Sequence, residues 1–326
     1  MRAVYIDVAK IIGLFLVILG HLYTTEGVGA ENVIRTFIYG FHMPFFFLVS
    51  GMLHKDKGVS PFKVISGNYR KLILPWLCFN VFAVIYYSLN GLKPEWGGVV
   101  HYSLQGIWVG HDTACQASWF VFVLFFIKIA FGLILNDWFR RVFTLIGFVL
   151  SVHSLTSHFY FNTIIIGFVF YSAGYEIKKL EIDKIKGRVP DACILMMGII
   201  GLICSGLLTS INGKVSLLYC SLNNPILFYL NSLIGSMSIL ILDLSLEKYI
   251  NKSLAAKVSI ASIGVVLTHM FFVDYLRLLR SIIPVKGVAL FIFYCFAATI
   301  IYGICVYLYH CLNKYMPIIF GNSKLK

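Results

Sequence analysis

Charge is what this sequence has least of. Only 13% of its residues are Asp, Glu, Lys or Arg, against 59% hydrophobic, and mean hydropathy is +0.86. A soluble domain of this size does not need that much apolar surface, so the class that remains is a polytopic membrane protein. Acidic residues are scarcest, 14 against 27 basic, which leaves a net charge of +13. Such a surplus can signal nucleic-acid binding, but its distribution along the chain argues against that, and no nucleic-acid partner is expected. The eight cysteines form no CxxC and no Cys/His ligand spacing, so neither a thioredoxin-like site nor a metal is expected. Most lie in apolar runs, where a thiol is a small hydrophobe. Only Cys115 and Cys220 fall in segments expected outside, where an oxidising compartment would permit a disulfide. No internal repeat, low-complexity tract or soluble domain is visible, so 1–326 reads as a single polytopic domain. The first apolar run lacks a small-residue cleavage site and holds charges, so it is expected to persist as a span.

What is there is a series of apolar runs. Hydropathy gives an all-α integral membrane protein of about ten helices, near 6–25, 33–53, 72–89, 119–135, 142–156, 159–175, 192–208, 225–244, 258–275 and 287–310. The fifth is short and the sixth follows almost at once, so an eight-span path that merges or demotes this pair stays open. Pro and Gly fall in the connections: Gly91 with Pro94, Gly187 with Pro190, Asn224 with Pro225, Pro284 with Gly287. With the N-terminus in the cytoplasm, every Lys and Arg falls in or beside an inside segment except Arg35, Lys93, Lys128, Lys214, Arg277, Arg280 and Lys286. That asymmetry places both termini in the cytoplasm and explains the basic balance as topology plus contact with anionic membrane lipids. It also makes the cytoplasmic face a landing site for an anionic cosubstrate.

The stretch Arg35–Gly51 carries His42 and Pro44 inside an apolar run. A histidine in a membrane helix must be solvated by protein or water and is a functional hypothesis by default. Pro44 has no N–H to donate, so the helix is expected to bend or open near His42. The run before it embeds Asp7, Lys10 and His21. Lys10 and His21 are about three helical turns apart and share a face, roughly 16 Å along the axis, and Asp7 joins the same stripe. Asp7 and Lys10 also sit near the membrane edge, where snorkelling costs little. His21 and His42 reach similar depths from opposite sides, so the two imidazoles could meet, and either could act as general base on a hydroxyl. Ser50 and Gly51 end the run, either as close packing by small residues or as part of a substrate site. Arg70 and Lys71 stand at the cytoplasmic mouth of the third span, where two cations suit a phosphate-bearing ligand or mark topology. Trp119 opens the fourth span and reads as an interface anchor. His269 is a further buried imidazole that could line the same cavity as the other two.

Several strings resemble the membrane-bound acyltransferase 3 family, its fucose 4-O-acetylase-like branch in particular. They are Y-I-D-V-A-K at 5–10, L-G-H at 19–21, F-H-M-P-F-F-F-L-V-S-G at 41–51 and R-K-L-I-L-P at 70–75. Weaker matches are S-W-F-V at 118–121 and I-G-V-V-L-T-H at 263–269. The resemblance implies a multi-pass O-acetyltransferase of the bacterial cytoplasmic membrane. It would move acetyl from cytoplasmic acetyl-CoA to a sugar hydroxyl of a cell-surface polysaccharide or glycolipid. His21 occupies the family's histidine position, and Lys10 stands where the family has Arg. His21, His42 and Asp7 are then the expected catalytic group. Lys10, Arg70 and Lys71 are expected on the donor, and Trp119, His269 and Ser50 on the acceptor. Ser259–Ser262 replaces the family's Gly-Lys/Arg-Asn-Ser. A transporter or flippase for a glycan or small metabolite is the rival class; transporters often carry repeats that this chain lacks.

Overall fold

The computed structural model describes residues 3–23, 30–56, 60–91, 93, 97–153, 158–280 and 286–322. Lys57, Pro94, Pro284, Lys324 and Lys326, which entered the sequence reading, lie outside them, as does the Arg280 side chain. Fourteen helices follow in order. They are α1 (Val4–Leu22), α2 (Ala30–Tyr39), α3 (His42–Met52), α4 (Pro61–Asn68), α5 (Leu74–Asn90), α6 (Val99–Val109) and α7 (Trp119–Leu133). Then come α8 (Asp137–Val152), α9 (Phe161–Lys179), α10 (Asp191–Asn212), α11 (Pro225–Leu246), α12 (Lys252–Ile260), α13 (Ser262–Arg280) and α14 (Gly287–Tyr315).

Seven described helical stretches are long and apolar enough to cross a membrane, and α7 is a shorter apolar one. The chain is thus an all-α, multi-pass membrane protein. About ten spans were expected, and three of those segments form helices outside these seven: α7, α8 and α9. Helix α7 has only 15 residues. Helix α8 opens on Asp137, Arg140 and Arg141, and α9 closes on Glu176, Lys178 and Lys179, so ion pairs rather than hydrocarbon occupy their ends. They are nevertheless two separate helices, joined by Thr144 Oγ1 donating to Ser172 Oγ at 2.7 Å. Helices α6 and α12 were not expected; both are short and lie in segments read as connections. Large apolar residues recur on the outside of α10 (Met196, Ile200, Ile203, Leu207, Ile211) at helical spacing. In water such a stripe would be a liability; facing lipid it is the requirement.

The interior packs through small residues and hydrogen bonds, because burying apolar surface gives no advantage against lipid tails. A Cβ on Gly51 would overlap the Tyr171 carbonyl, and one on Gly174 the Leu48 carbonyl, so α3 and α9 meet backbone to backbone. Between α10 and α11, Asn231 donates to Thr209 Oγ1 at 2.8 Å and accepts from Ser205 Oγ at 2.5 Å. The two ends of the bundle differ. One gathers Asp7 with Ser259, Lys178 with the His54 carbonyl, Lys186 with Glu247, and His310 with the Lys257 carbonyl, so the start of α1 and the end of α14 share it. The other joins Lys93 to Asp274 and packs His111 against Tyr219. Cys115 and Cys220 near that end are both free thiols, Cys115 donating to the Leu267 carbonyl and Cys220 lying 3.4 Å from Thr163 Oγ1.

Candidate active site

The helix break expected at Pro44 lies between α2 and α3. Pro44 gives no N–H to the Gly40 carbonyl one turn back, and that carbonyl accepts instead from Ser232 Oγ of α11 at 2.8 Å. Gly40 can have no side chain there, because a Cβ would press on Asn231 Nδ2. The break leaves Tyr39 and His42 on either side of a turn, their ring centres 4.7 Å apart. His42 Nδ1 is 3.0 Å from the Ile38 carbonyl. A carbonyl only accepts, so Nδ1 carries the proton and Nε2 of the neutral ring keeps its lone pair.

His21, at the last turn of α1, faces the same place. Its Nδ1 is 3.3 Å from Tyr39 Oη, and its ring centre is 5.4 Å from that of His269 on α13. His269 is fully buried, its Nδ1 donates to the Val265 carbonyl at 2.8 Å, and its Nε2 has no hydrogen-bond partner among the described residues. Arg277 donates from Nη2 to the His21 carbonyl at 2.5 Å, holding the end of α1 against α13. The Arg35 guanidinium lies over the Tyr39 ring at 4.0 Å. These groups line a cavity of about 240 Å³ with Trp119, Asp112 and Gln116. Two connecting segments form its rim. One, 111–118, is pinned by Thr113 donating to Asn80 Oδ1 at 2.5 Å. The other, 213–224, is a hairpin in which Ser216 and Ser221 exchange backbone bonds. Asp112 accepts from the Ala117 N–H, and its burial pushes its carboxyl up to about 6.

A second cavity, about 260 Å³, lies at the opposite end, lined by Lys55, Lys63, Lys71 and Lys128 with His54 and Asn68. Lys71 is presented by a π-helical turn at Tyr69–Ile73, where Leu74 donates to Tyr69. Pro75 just beyond cannot donate within an α register, and the wider turn absorbs the mismatch. Behind this cavity Arg140, 1% exposed, donates to Asp56 at 2.6 Å and to Asp137 at 3.0 Å. Hydrogen bonds from Arg140 hold the Asp56 carboxyl well below the usual carboxylate range. The two cavities share α7 as a wall, and α3 leads from one to the other. From Phe46 on α3 to Leu53 just past its end the separation is about 10 Å, and from Phe120 to Lys128 on α7 about 12 Å. Phe46 and Phe47, 5.9 and 4.9 Å from Phe120, fill the gap.

Of the residues singled out in the sequence, the structure brings together His21, His42, His269 and Trp119. Asp7 and Lys10 converge on Ser259 of α12, at 2.6 and 3.3 Å. Asp7 stands about 21 Å down α1 from His21. Lys71 lines the lysine cavity; Arg70 is exposed, outside that lining, with its carbonyl against Gly321. Ser50 is half-buried and lines neither cavity. Among the described residues, no three His, Cys, Asp or Glu side chains are grouped so as to hold a metal ion. Tyr39, Arg35 and Arg277 were missed as site residues. The signal for the two arginines was present: both break the Lys/Arg asymmetry.

A family model for an acyltransferase domain, Acyl_transf_3, matches residues 3–319. The chain belongs to the acyltransferase 3 family. No curated protein and no solved structure matches it. The match spans both cavities, and the chain is a membrane acyltransferase.

Proposed function

We propose that this acyltransferase moves an acetyl group from cytoplasmic acetyl-CoA to a sugar hydroxyl of a cell-surface polysaccharide or lipid-linked glycan. The supporting observation is the pair of cavities, one lysine-lined and one imidazole-lined, back to back along α3 and α7. The lysine end takes the nucleotide phosphates, with Lys71, Lys63 and Lys128 as point charges. It is the cytoplasmic end by the Lys/Arg asymmetry, as are both termini. The thioester arm reaches past the Phe46–Phe47–Phe120 layer toward His21. In the tautomer whose Nδ1–H donates to Tyr39 Oη, His21 keeps Nε2 free as base. His21 takes the proton of the acceptor hydroxyl as its oxygen attacks the acyl carbonyl. The C–S bond breaks and CoA leaves as the thiolate. His42 and His269, each with Nδ1 tied to a carbonyl, offer Nε2 lone pairs to the sugar's other hydroxyls.

Purified protein in detergent, given radioactive acetyl-CoA and a candidate glycan, is expected to yield acetylated glycan and free CoA. Absence of both products, with protein that is folded by size-exclusion chromatography, would overturn the reading.

A further inference from the structure

The charges in the imidazole cavity do not suit a neutral sugar. Two guanidinium groups face it, those of Arg35 and Arg277, against one lining carboxylate, that of Asp112. Arg35 stacks on Tyr39 and, among the described residues, pairs with no carboxylate. Arg277 approaches Asp274 only to 3.6 Å, outside hydrogen-bond distance. Asp274 is engaged at closer range elsewhere, its Oδ2 by Tyr87 at 2.8 Å and Gln116 at 3.0 Å and its Oδ1 by the Lys93 ammonium at 3.1 Å. Arg277 Nε is buried and, among the described residues, has no acceptor. A buried donor left unmade is costly, and an arginine fork is matched by carboxylate or phosphate oxygens. Both forks sit around the Tyr39–His21 pair, so an anion bound there lies beside the hydroxyl that His21 would activate.

We propose that the acceptor is anionic: the sugar carries a carboxylate or phosphate that Arg35 and Arg277 grip while a neighbouring hydroxyl is acylated. This rests on the acyltransferase reading above and narrows its acceptor. It also gives the arginines a selective role, because a neutral analogue would offer no anionic oxygen to Arg35 or to the Arg277 Nε.

The test compares three p-nitrophenyl β-D-glycosides that differ only at C6: the glucuronide, the glucoside 6-phosphate and the glucoside. Binding to the detergent-purified full chain is read by quenching of tryptophan emission, Trp119 being in the cavity wall. One or both anions are expected to bind about tenfold or more tightly than the glucoside, and which of them does so decides between carboxylate and phosphate. Arg35→Gln should abolish that preference, and Arg35→Lys should retain part of it, since Lys keeps the charge without the fork. Equal binding of all three, absence of binding by all three, or an anion preference intact in Arg35→Gln would overturn the proposal. CoA release from acetyl-CoA is followed in parallel with each probe. Release driven equally well by the neutral glucoside removes this proposal and leaves the acyltransferase reading standing. Anion-selective binding with no CoA release from any probe does the reverse.

Discussion

Tyr39→Phe removes the hydroxyl that faces His21. The phenol oxygen lies 3.3 Å from His21 Nδ1, at the long end of hydrogen bonding, and that oxygen is all the substitution removes. The ring remains against His42 at 4.7 Å and under Arg35 at 4.0 Å, so packing and the cation–π contact persist. A hydrogen bond between neutral groups is worth about 0.5–1.5 kcal/mol net, which is roughly two- to tenfold in rate. The bond orients a base that acts in the transition state, so the loss should appear in kcat and leave the KM for acetyl-CoA unchanged. The assay is CoA release with saturating acceptor, on protein matched to wild type by thermal unfolding. Unchanged kcat would refute the orienting role. A loss of a hundredfold or more would refute it differently, placing Tyr39 in the proton transfer itself.

Further expectations follow from the same geometry. Lys71→Ala should raise the KM for acetyl-CoA by about tenfold, whereas Arg70→Ala, outside the cavity lining, should change it little; steady-state kinetics with varied donor decides. Gly51→Leu should drive α3 off α9 and cost about 1–3 kcal/mol, visible as a lower midpoint of thermal aggregation in detergent; an unchanged midpoint would contradict the backbone-to-backbone contact. Asp56→Asn should destabilise the protein at neutral pH by removing one partner of the buried Arg140. Because the folded-state carboxyl is depressed, that contribution is present above the ordinary carboxylate value and is lost as pH falls below it, so the wild-type advantage should narrow below about pH 4. An advantage that widened on acidification would contradict the ion pair. In a cysteine-free background, a cysteine at Lys63 should resist an impermeant thiol reagent applied outside; labelling there would invert the proposed orientation.

Much of the architecture was legible because the hydrophobic runs are long. Expected spans such as 192–208 and 225–244 correspond to α10 and α11, and the opening at Pro44 follows from a missing N–H that any proline would lack. The shorter helices were harder. Helix α6 lies in a stretch too brief and too broken by Gly to read as a helix, and the charged ends of α8 and α9 find each other through Arg141–Glu176 and Lys179–Asp137, pairings no hydropathy pattern shows. The site was half legible. Histidines at depth announced themselves, yet the sequence paired His21 with His42, and the structure sets Tyr39 between those two and puts His269 against His21. Helix phase ranked Asp7 and Lys10 with His21, but the separation of about 16 Å or more along the axis outweighs a shared face, and those two meet Ser259 at the other end. The most informative residues were the exceptions to a rule. Arg35 and Arg277 violate the charge asymmetry, and both line the imidazole cavity, whereas Lys128, counted with them in the sequence, lies with the other lysines at the opposite end.

The central claim is that His21 is the base that activates the acceptor, and His21→Gln tests it most directly. Glutamine keeps a hydrogen-bonding side chain of similar reach but cannot take a proton at neutral pH. Removing a positioned base typically costs about 10²–10⁴-fold, so the variant should bind acetyl-CoA as wild type does and transfer acetyl at that fraction of the rate or less. Near-normal turnover by His21→Gln would contradict the account and leave His42 and His269 as the remaining imidazoles to carry the proton.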